Sequence, residues 1–284
     1  MRRRLLLLGA AVLAACTPSL GTFDALAPRD SGVRRVRRDV VYGPSPRQRL
    51  DVYAPTAVEA PRPIIVFLYG GSWSSGSKDD YEFMGAALAS QGFVAVLPDY
   101  RLVPDVRFPT FIEDCAAALR WVQDHAAECG GDPRSVVLMG HSAGAYNAAM
   151  LALDAHYLRD AGVDASAIRG MIGLAGPYDF LPYDVDSTRN AFGQAPDPAL
   201  TQPVHFARAD APPLYLLWGA QDTTVRRRSI DGLERAVHAA GGRVESKIYP
   251  NLDHVGIMLA LSRVFRGRAP VLADAARFAR SVTA

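Results

Sequence analysis

The chain has 284 residues, 49% hydrophobic and 21% charged, with 24 Gly, 20 Pro and three Cys, which is the make-up of a globular protein and excludes disordered, collagen-like and multipass membrane chains. Lysine plus arginine number 31 against 29 acidic residues; without Arg2, Arg3 and Arg4, which fall in a segment expected to be removed, the balance is 28 against 29. A chain so close to neutral has no global field for nucleic acid, whose binding rests on neutralising phosphates.

The first 15 residues read as a signal peptide: three arginines, then an apolar stretch over 5–15 that is too short to span a bilayer. Its end, Leu13-Ala14-Ala15-Cys16, resembles the lipobox of bacterial lipoproteins, which implies cleavage before Cys16 and a lipid on that cysteine. Plain cleavage after small residues is the alternative. Either route takes the protein out of the cytoplasm, and with the lipid it is expected in the cell envelope, where Thr17 after the cysteine favours, by resemblance to enterobacterial sorting rules, the outer membrane over the periplasmic face of the inner one. Residues 16–32, with Pro18, Gly21, Pro28 and Gly32 and no periodicity, are expected to be a tether. The basic pairs Arg34-Arg35 and Arg37-Arg38 read as a solvated face, or as a surface resting on anionic lipid.

From residue 33 to 284 a single α/β domain is expected, because apolar runs of strand length alternate with amphipathic helices, as in a mostly parallel sheet covered on both faces. Segments 37–42 and 49–53 flank Gly43-Pro44-Ser45-Pro46 and predict an antiparallel edge hairpin. Six further strands are predicted at 64–69, 93–97, 135–139, 170–175, 214–218 and 244–249, with helices near 78–91, 110–129, 143–158, 226–240 and 269–282. Gly92, Gly130 and Gly241 stand where three of those helices should stop. Cys115 and Cys129 lie at opposite ends of one predicted helix, about 21 Å apart, so no disulfide is expected. Residues 180–213 break the alternation and predict a small lid.

Three features carry chemistry. Strand 135–139 runs into Gly140-His141-Ser142-Ala143-Gly144 and then a helix, the strand, turn and helix context in which G-x-S-x-G lifts a serine out of a sheet edge. A serine hydroxyl needs a base, and the base an orienting carboxylate. Asp222 follows strand 214–218 and His254 follows strand 244–249, which places both at the carboxyl edge with Ser142. Asp210 precedes its strand and so lies at the wrong end, and Asp253 is too close in sequence to face His254. His125, His156 and His238 fall in or near helices, His141 lines the serine turn, and His205 in the lid could touch a ligand. After strand 64–69 comes Gly70-Gly71-Ser72-Trp73, whose backbone N–H groups at Gly71 and Ser72, with that of Ala143, would form an oxyanion hole. Gly71 to Lys78 misses the phosphate-loop pattern because Ser77 separates Gly76 from Lys78. No nucleotide cofactor or metal motif is read.

These residues resemble the α/β-hydrolase superfamily, and within it the esterase group of hormone-sensitive-lipase-like carboxylesterases, kynurenine formamidases and prenylcysteine methylesterases. The resemblance covers about residues 49–259. It includes Gly70 to Trp73, Asp99-Tyr100-Arg101-Leu102 with Pro104, Phe108-Pro109 leading to Asp114, and Gly130-Gly131-Asp132-Pro133. It implies a serine hydrolase of small-molecule carboxylic esters, acting through an acyl-enzyme without a cofactor. An aryl formamidase, or an inactive lipid-anchored binding protein, is the alternative. In such relatives the Asp-Tyr-Arg segment is structural, so Asp99 and Arg101 are expected to form a buried ion pair. The group usually begins its oxyanion turn with His where this chain has Tyr69.

Overall fold

The computed structural model describes residues 19–57 and 61–284. The expected signal peptide, Cys16 and the start of the tether lie outside the described residues. Eight strands form one sheet: β1 (Val33–Val41), β2 (Arg49–Pro55), β3 (Arg62–Leu68), β4 (Val94–Pro98), β5 (Gly131–His141), β6 (Ile168–Leu174), β7 (Leu214–Gly219) and β8 (Val244–Tyr249), in the spatial order β1-β2-β4-β3-β5-β6-β7-β8. The β1–β2 and β2–β4 pairs are antiparallel and the others parallel, so the predicted hairpin is an edge annex to a parallel sheet. The central strands are buried on both faces. That is why they read as continuous apolar runs rather than alternating ones.

The helices are α1 (Leu20–Leu26), α2 (Glu82–Ser90), α3 (Thr110–His125), α4 (Ala143–Leu153), α5 (Ala155–Asp160), α6 (Asp186–Phe192), α7 (Arg227–Ala239), α8 (Gly256–Leu259) and α9 (Val271–Thr283). Every residue of α4 is buried. Alanines at 145, 148, 149 and 152 let this helix lie close to the sheet, as an all-round apolar composition requires. The predicted helix over 143–158 is divided at Asp154, whose carboxylate caps α5 by accepting from the His156 N–H at 3.3 Å. Gly92, Gly130 and Gly241 all have positive φ at the ends of their helical segments. Cys115 and Cys129 are buried free thiols.

The tether expectation fails for residues 19–32. Ser19 caps α1, whose Phe23 ring packs edge-on to Phe83 at 5.4 Å and stacks with Phe265 at 5.8 Å. Buried Asp24 accepts from the Phe83 N–H at 2.8 Å and pairs with Arg29 at 2.8 Å, while Asp30 takes a fork from Arg266 at 2.9 Å. Two turns of helix are too short to show a period, and the contacts that hold them are tertiary. Part of the basic stretch on β1 is not a free face either, since Arg35 pairs with Asp51 at 3.1 Å and with Glu82.

The expected Asp99–Arg101 pair is also replaced. Arg101 forks onto Asp114 of α3, with contacts at 2.7 to 3.1 Å. Asp99 accepts from the Lys78 N–H at 2.7 Å and faces Arg47 at 3.7 Å. Asp114 is buried, and a planar guanidinium neutralises such a carboxylate most completely. Burial raises the Asp99 carboxyl above its usual range, against the hydrogen bond from Lys78 and the charge of Arg47.

Candidate active site

β5 ends at His141, and Ser142 takes φ 54°, ψ −121°, before α4 begins at Ala143. Such a conformation is costly for a residue with a side chain and persists only where its surroundings enforce it. The enforcement here is steric. A Cβ on Gly144 would collide with the carbonyls of Leu68 and Tyr69, and one on Gly140 with the backbone of Gly144. Strand, turn and helix can therefore close around Ser142 only with glycine at both positions. Gly70 passes close by: a Cβ there would lie 2.9 Å from that of Ser142.

Asp222 and His254 come from the loops after β7 and β8, which are stitched together by hydrogen bonds from the Ala220 N–H to the Tyr249 carbonyl (2.9 Å) and from the Gln221 N–H to the Leu252 carbonyl (3.0 Å). One Asp222 oxygen accepts from the N–H groups of Thr224 at 2.8 Å and Val225 at 2.9 Å. The other accepts from His254 Nδ1 at 2.8 Å, and His254 Nε2 lies 2.9 Å from Ser142 Oγ. A carboxylate only accepts, so Nδ1 carries the ring proton and Nε2 is free to accept from the serine hydroxyl. The three side chains read from the sequence thus form one hydrogen-bonded chain.

Ser72 and Ala143 line a cavity of about 370 Å³ together with Ser142; Gly71 lies beside them but is not part of the wall. Among the described residues no acceptor meets the N–H groups of Gly71, Ser72 or Ala143. Gly71, Ser72 and Trp73 have φ of 131°, 54° and 58°, and the turn's far end is held where Trp73 Nε1 donates to the buried Asn147 Oδ1 at 3.2 Å. Trp73 and Phe180 line the cavity together with the charged residues Asp179, Asp184, Arg226 and Arg228. Arg226 lies 3.8 Å from Asp184. The basic run at 226–228 is exposed, and two of its three arginines border the cavity. Asp179 was not singled out from the sequence, although its place just beyond the carboxyl end of β6 was a usable signal. The segment predicted as a lid is anchored by Phe192 and Thr201, which are fully buried, although most of residues 181–200 are exposed or half-buried. His205 is exposed against Phe206 and does not line the cavity. Asp210 pairs with Arg208 at 2.9 Å.

His141 is buried, 4.9 Å ring to ring from His254, and its Nε2 donates to the His254 carbonyl at 2.7 Å. Its Nδ1 is buried with no hydrogen-bond partner. Burial, then the charge of His254, lowers its pKa to about 3, so the ring stays neutral through ordinary pH. The unfolded chain takes up a proton near 6.5 that the folded one refuses, so this group costs stability as pH falls from about 6.5 towards 3, by about 1.4 kcal/mol per unit. His141→Gln should flatten that part of a plot of Tm against pH, and an unchanged slope would show that His141 is not the group responsible.

A family model described as BD-FAE matches residues 50–236. Isoprenylcysteine alpha-carbonyl methylesterase ICME of Arabidopsis thaliana is 29% identical over 248 residues, covering 80% of this chain and 58% of the plant protein. This chain thus spans little more than half the length of the first curated relatives it matches. Among solved structures, esterase B from Lactobacillus rhamnosis superposes with a TM-score of 0.78 at 23% identity, over 91% of this chain and 89% of that one. The apo form of Thermogutta terrifontis esterase 2 gives 0.70 at 26% identity, over 90% and 96%. The fold is therefore that of the α/β-hydrolases, and with two thirds of its length matched by that family model, the chain belongs to the BD-FAE family.

Proposed function

We propose that this protein is a serine hydrolase of carboxylic esters. The observation that carries the reading is the unbroken chain from Ser142 Oγ through His254 to Asp222, opening on a cavity beside unpaired backbone donors. His254 Nε2 takes the hydroxyl proton as Ser142 Oγ attacks the ester carbonyl carbon. The carbonyl oxygen becomes an oxyanion facing the N–H groups of Ser72 and Ala143, with that of Gly71 nearby. Collapse expels the alcohol, which leaves with the proton from His254, and water repeats the sequence on the acyl-enzyme. Asp222 holds the imidazole in the tautomer this needs. A cavity of about 370 Å³ lined by both aromatic and charged residues suits a small ester of mixed polarity.

An amide such as N-formylkynurenine would use the same groups, but the relatives reported above are described as esterases, which favours the ester. Export and a lipid on Cys16 remain part of the proposal on the strength of residues 1–16 alone. A panel of p-nitrophenyl acetate, longer acyl, aryl and sugar esters, with N-formylkynurenine beside them, tests the reading on the full chain expressed in a bacterial host. Ester turnover should exceed formamide turnover and pellet with the membranes, and Cys16→Ser should release it to the supernatant. Faster formamide hydrolysis, or no turnover at all, would reject the esterase reading; activity that never pellets would reject the anchor.

A further inference from the structure

Arg47 lies in the turn between β1 and β2, on the antiparallel edge of the sheet, far in sequence from Ser142, Asp222 and His254. Its guanidinium nevertheless reaches both ends of the turn that carries the N–H groups of Gly71 and Ser72. Nη2 donates to the Tyr69 hydroxyl at 2.8 Å, where the chain enters the turn, and to the Gly76 carbonyl at 2.8 Å, where it leaves. Nε donates to the Tyr100 carbonyl at 3.0 Å, and the Tyr100 hydroxyl donates to the Tyr69 carbonyl at 2.8 Å. The Tyr69 ring is buried between Tyr100 at 4.7 Å and Tyr81 at 5.7 Å. Asp99, 3.7 Å from the same guanidinium, accepts from the Lys78 N–H at 2.7 Å, which fixes the chain just beyond Gly76.

We propose that Arg47 and Tyr69 act as a positioning pair that sets the oxyanion turn at the height its donors need, an inference that rests on the hydrolase reading above. Three successive residues of positive φ form a strained turn, and strain of this kind is kept only where neighbours over-determine it. One planar guanidinium bonded to both ends of the turn does so, because it fixes the span between Tyr69 and Gly76 as well as the location of each. Burial raises the Tyr69 phenol well above its ordinary value, so the hydroxyl keeps its proton and the link to Arg47 does not titrate in the working range. Neither side chain lines the cavity, so neither is placed to hold substrate.

The consequence is specific to the transition state. Donors displaced by a fraction of an ångström still admit a neutral ester but meet the oxyanion poorly, so kcat falls while KM stays. The test compares Tyr69→Phe, Arg47→Met, Arg47→Lys and the Tyr69→Phe/Arg47→Met double variant with the unaltered enzyme on p-nitrophenyl acetate. Inhibition by an arylboronic acid, whose serine adduct copies the tetrahedral oxyanion, is measured alongside. Tyr69→Phe and Arg47→Met should each lower kcat by about 10- to 100-fold, less than the loss of a donor itself, with KM within about twofold and boronate affinity reduced in step. The double variant should be no worse than Arg47→Met, because the two act as a unit, and Arg47→Lys should recover only part, as an ammonium lacks the fork. Should Arg47→Met not fold, Tyr69→Phe, which loses one oxygen, decides alone. Unchanged kcat and boronate affinity in Tyr69→Phe, or a loss confined to KM or to Tm, would overturn the positioning role while leaving the hydrolase reading intact. No turnover by the unaltered enzyme would overturn both.

Discussion

Ser142→Ala is expected to abolish ester turnover and labelling by a fluorophosphonate together, and Asp222→Asn to keep the labelled serine but react far more slowly. The first follows because Ser142 Oγ is the atom that His254 Nε2 faces at 2.9 Å. Its removal should cost about 10⁶ in kcat and leave only the residual rate of about 10³ to 10⁴ over water that binding and the backbone donors supply. The second follows from how Asp222 is held. One of its oxygens is claimed by the N–H groups of Thr224 and Val225, so an asparagine must turn its own oxygen to them and its NH₂ to His254 Nδ1. That donor forces the ring proton to Nε2, where it opposes the serine hydroxyl, and a loss of about 10⁴ in kcat is expected from the reversed tautomer. Single-turnover and steady-state rates on p-nitrophenyl acetate measure both. Labelling that persists in Ser142→Ala would place the nucleophile elsewhere.

The second large effect concerns folding. Gly144→Ala adds a methyl that meets the Leu68 and Tyr69 carbonyls, main-chain atoms of the central strand and of the residue that follows it, which have no side-chain freedom to yield. A loss of more than about 4 kcal/mol, or no folded protein at all, is the expectation, the range reserved for changes that a packed site cannot absorb. Gly162→Ala provides the comparison. It has φ 70° but no atom within 4 Å of the added methyl, so it should cost only about 1 kcal/mol through the backbone. Chemical denaturation of the two variants separates a collision from simple backbone strain. If Gly144→Ala were as mild as Gly162→Ala, the elbow would not be held by the close approach described above.

What the sequence made legible is what local pattern encodes. Strands buried on both faces announce themselves as apolar runs, and a residue just after such a run must lie at the carboxyl edge, so Ser142, Asp222 and His254 could be placed without any knowledge of packing. Residues whose role depends on a partner remote in sequence were not placed. Asp99 and Arg101 were expected to pair because the resembling families make their segment structural, but a buried carboxylate on α3 competes for the guanidinium and takes it. Arg47 carries no local signal at all: it sits in a turn whose composition reads only as turn, and its importance arises from a contact 22 residues away at Tyr69. Helix α1 was missed for a related reason, since it is held by Phe83 and Phe265 and not by its own seven residues. Tyr69 was legible as unusual, but only the coordinates show the arginine that accompanies it.

The cavity draws much of its wall from residues 177–188, between β6 and β7, and more from residues 223–229, whereas the hydrogen-bonded Ser142, Asp222 and His254 sit at the ends of β5, β7 and β8. On the proposed reading, the 177–188 part of the wall, which shapes what enters, is a different stretch of chain from the groups that would move the proton. Exchanging Asp184, Val185 or Ser187 reshapes what can enter without moving any atom that handles a proton. Such a scaffold can change its diet while keeping its teeth.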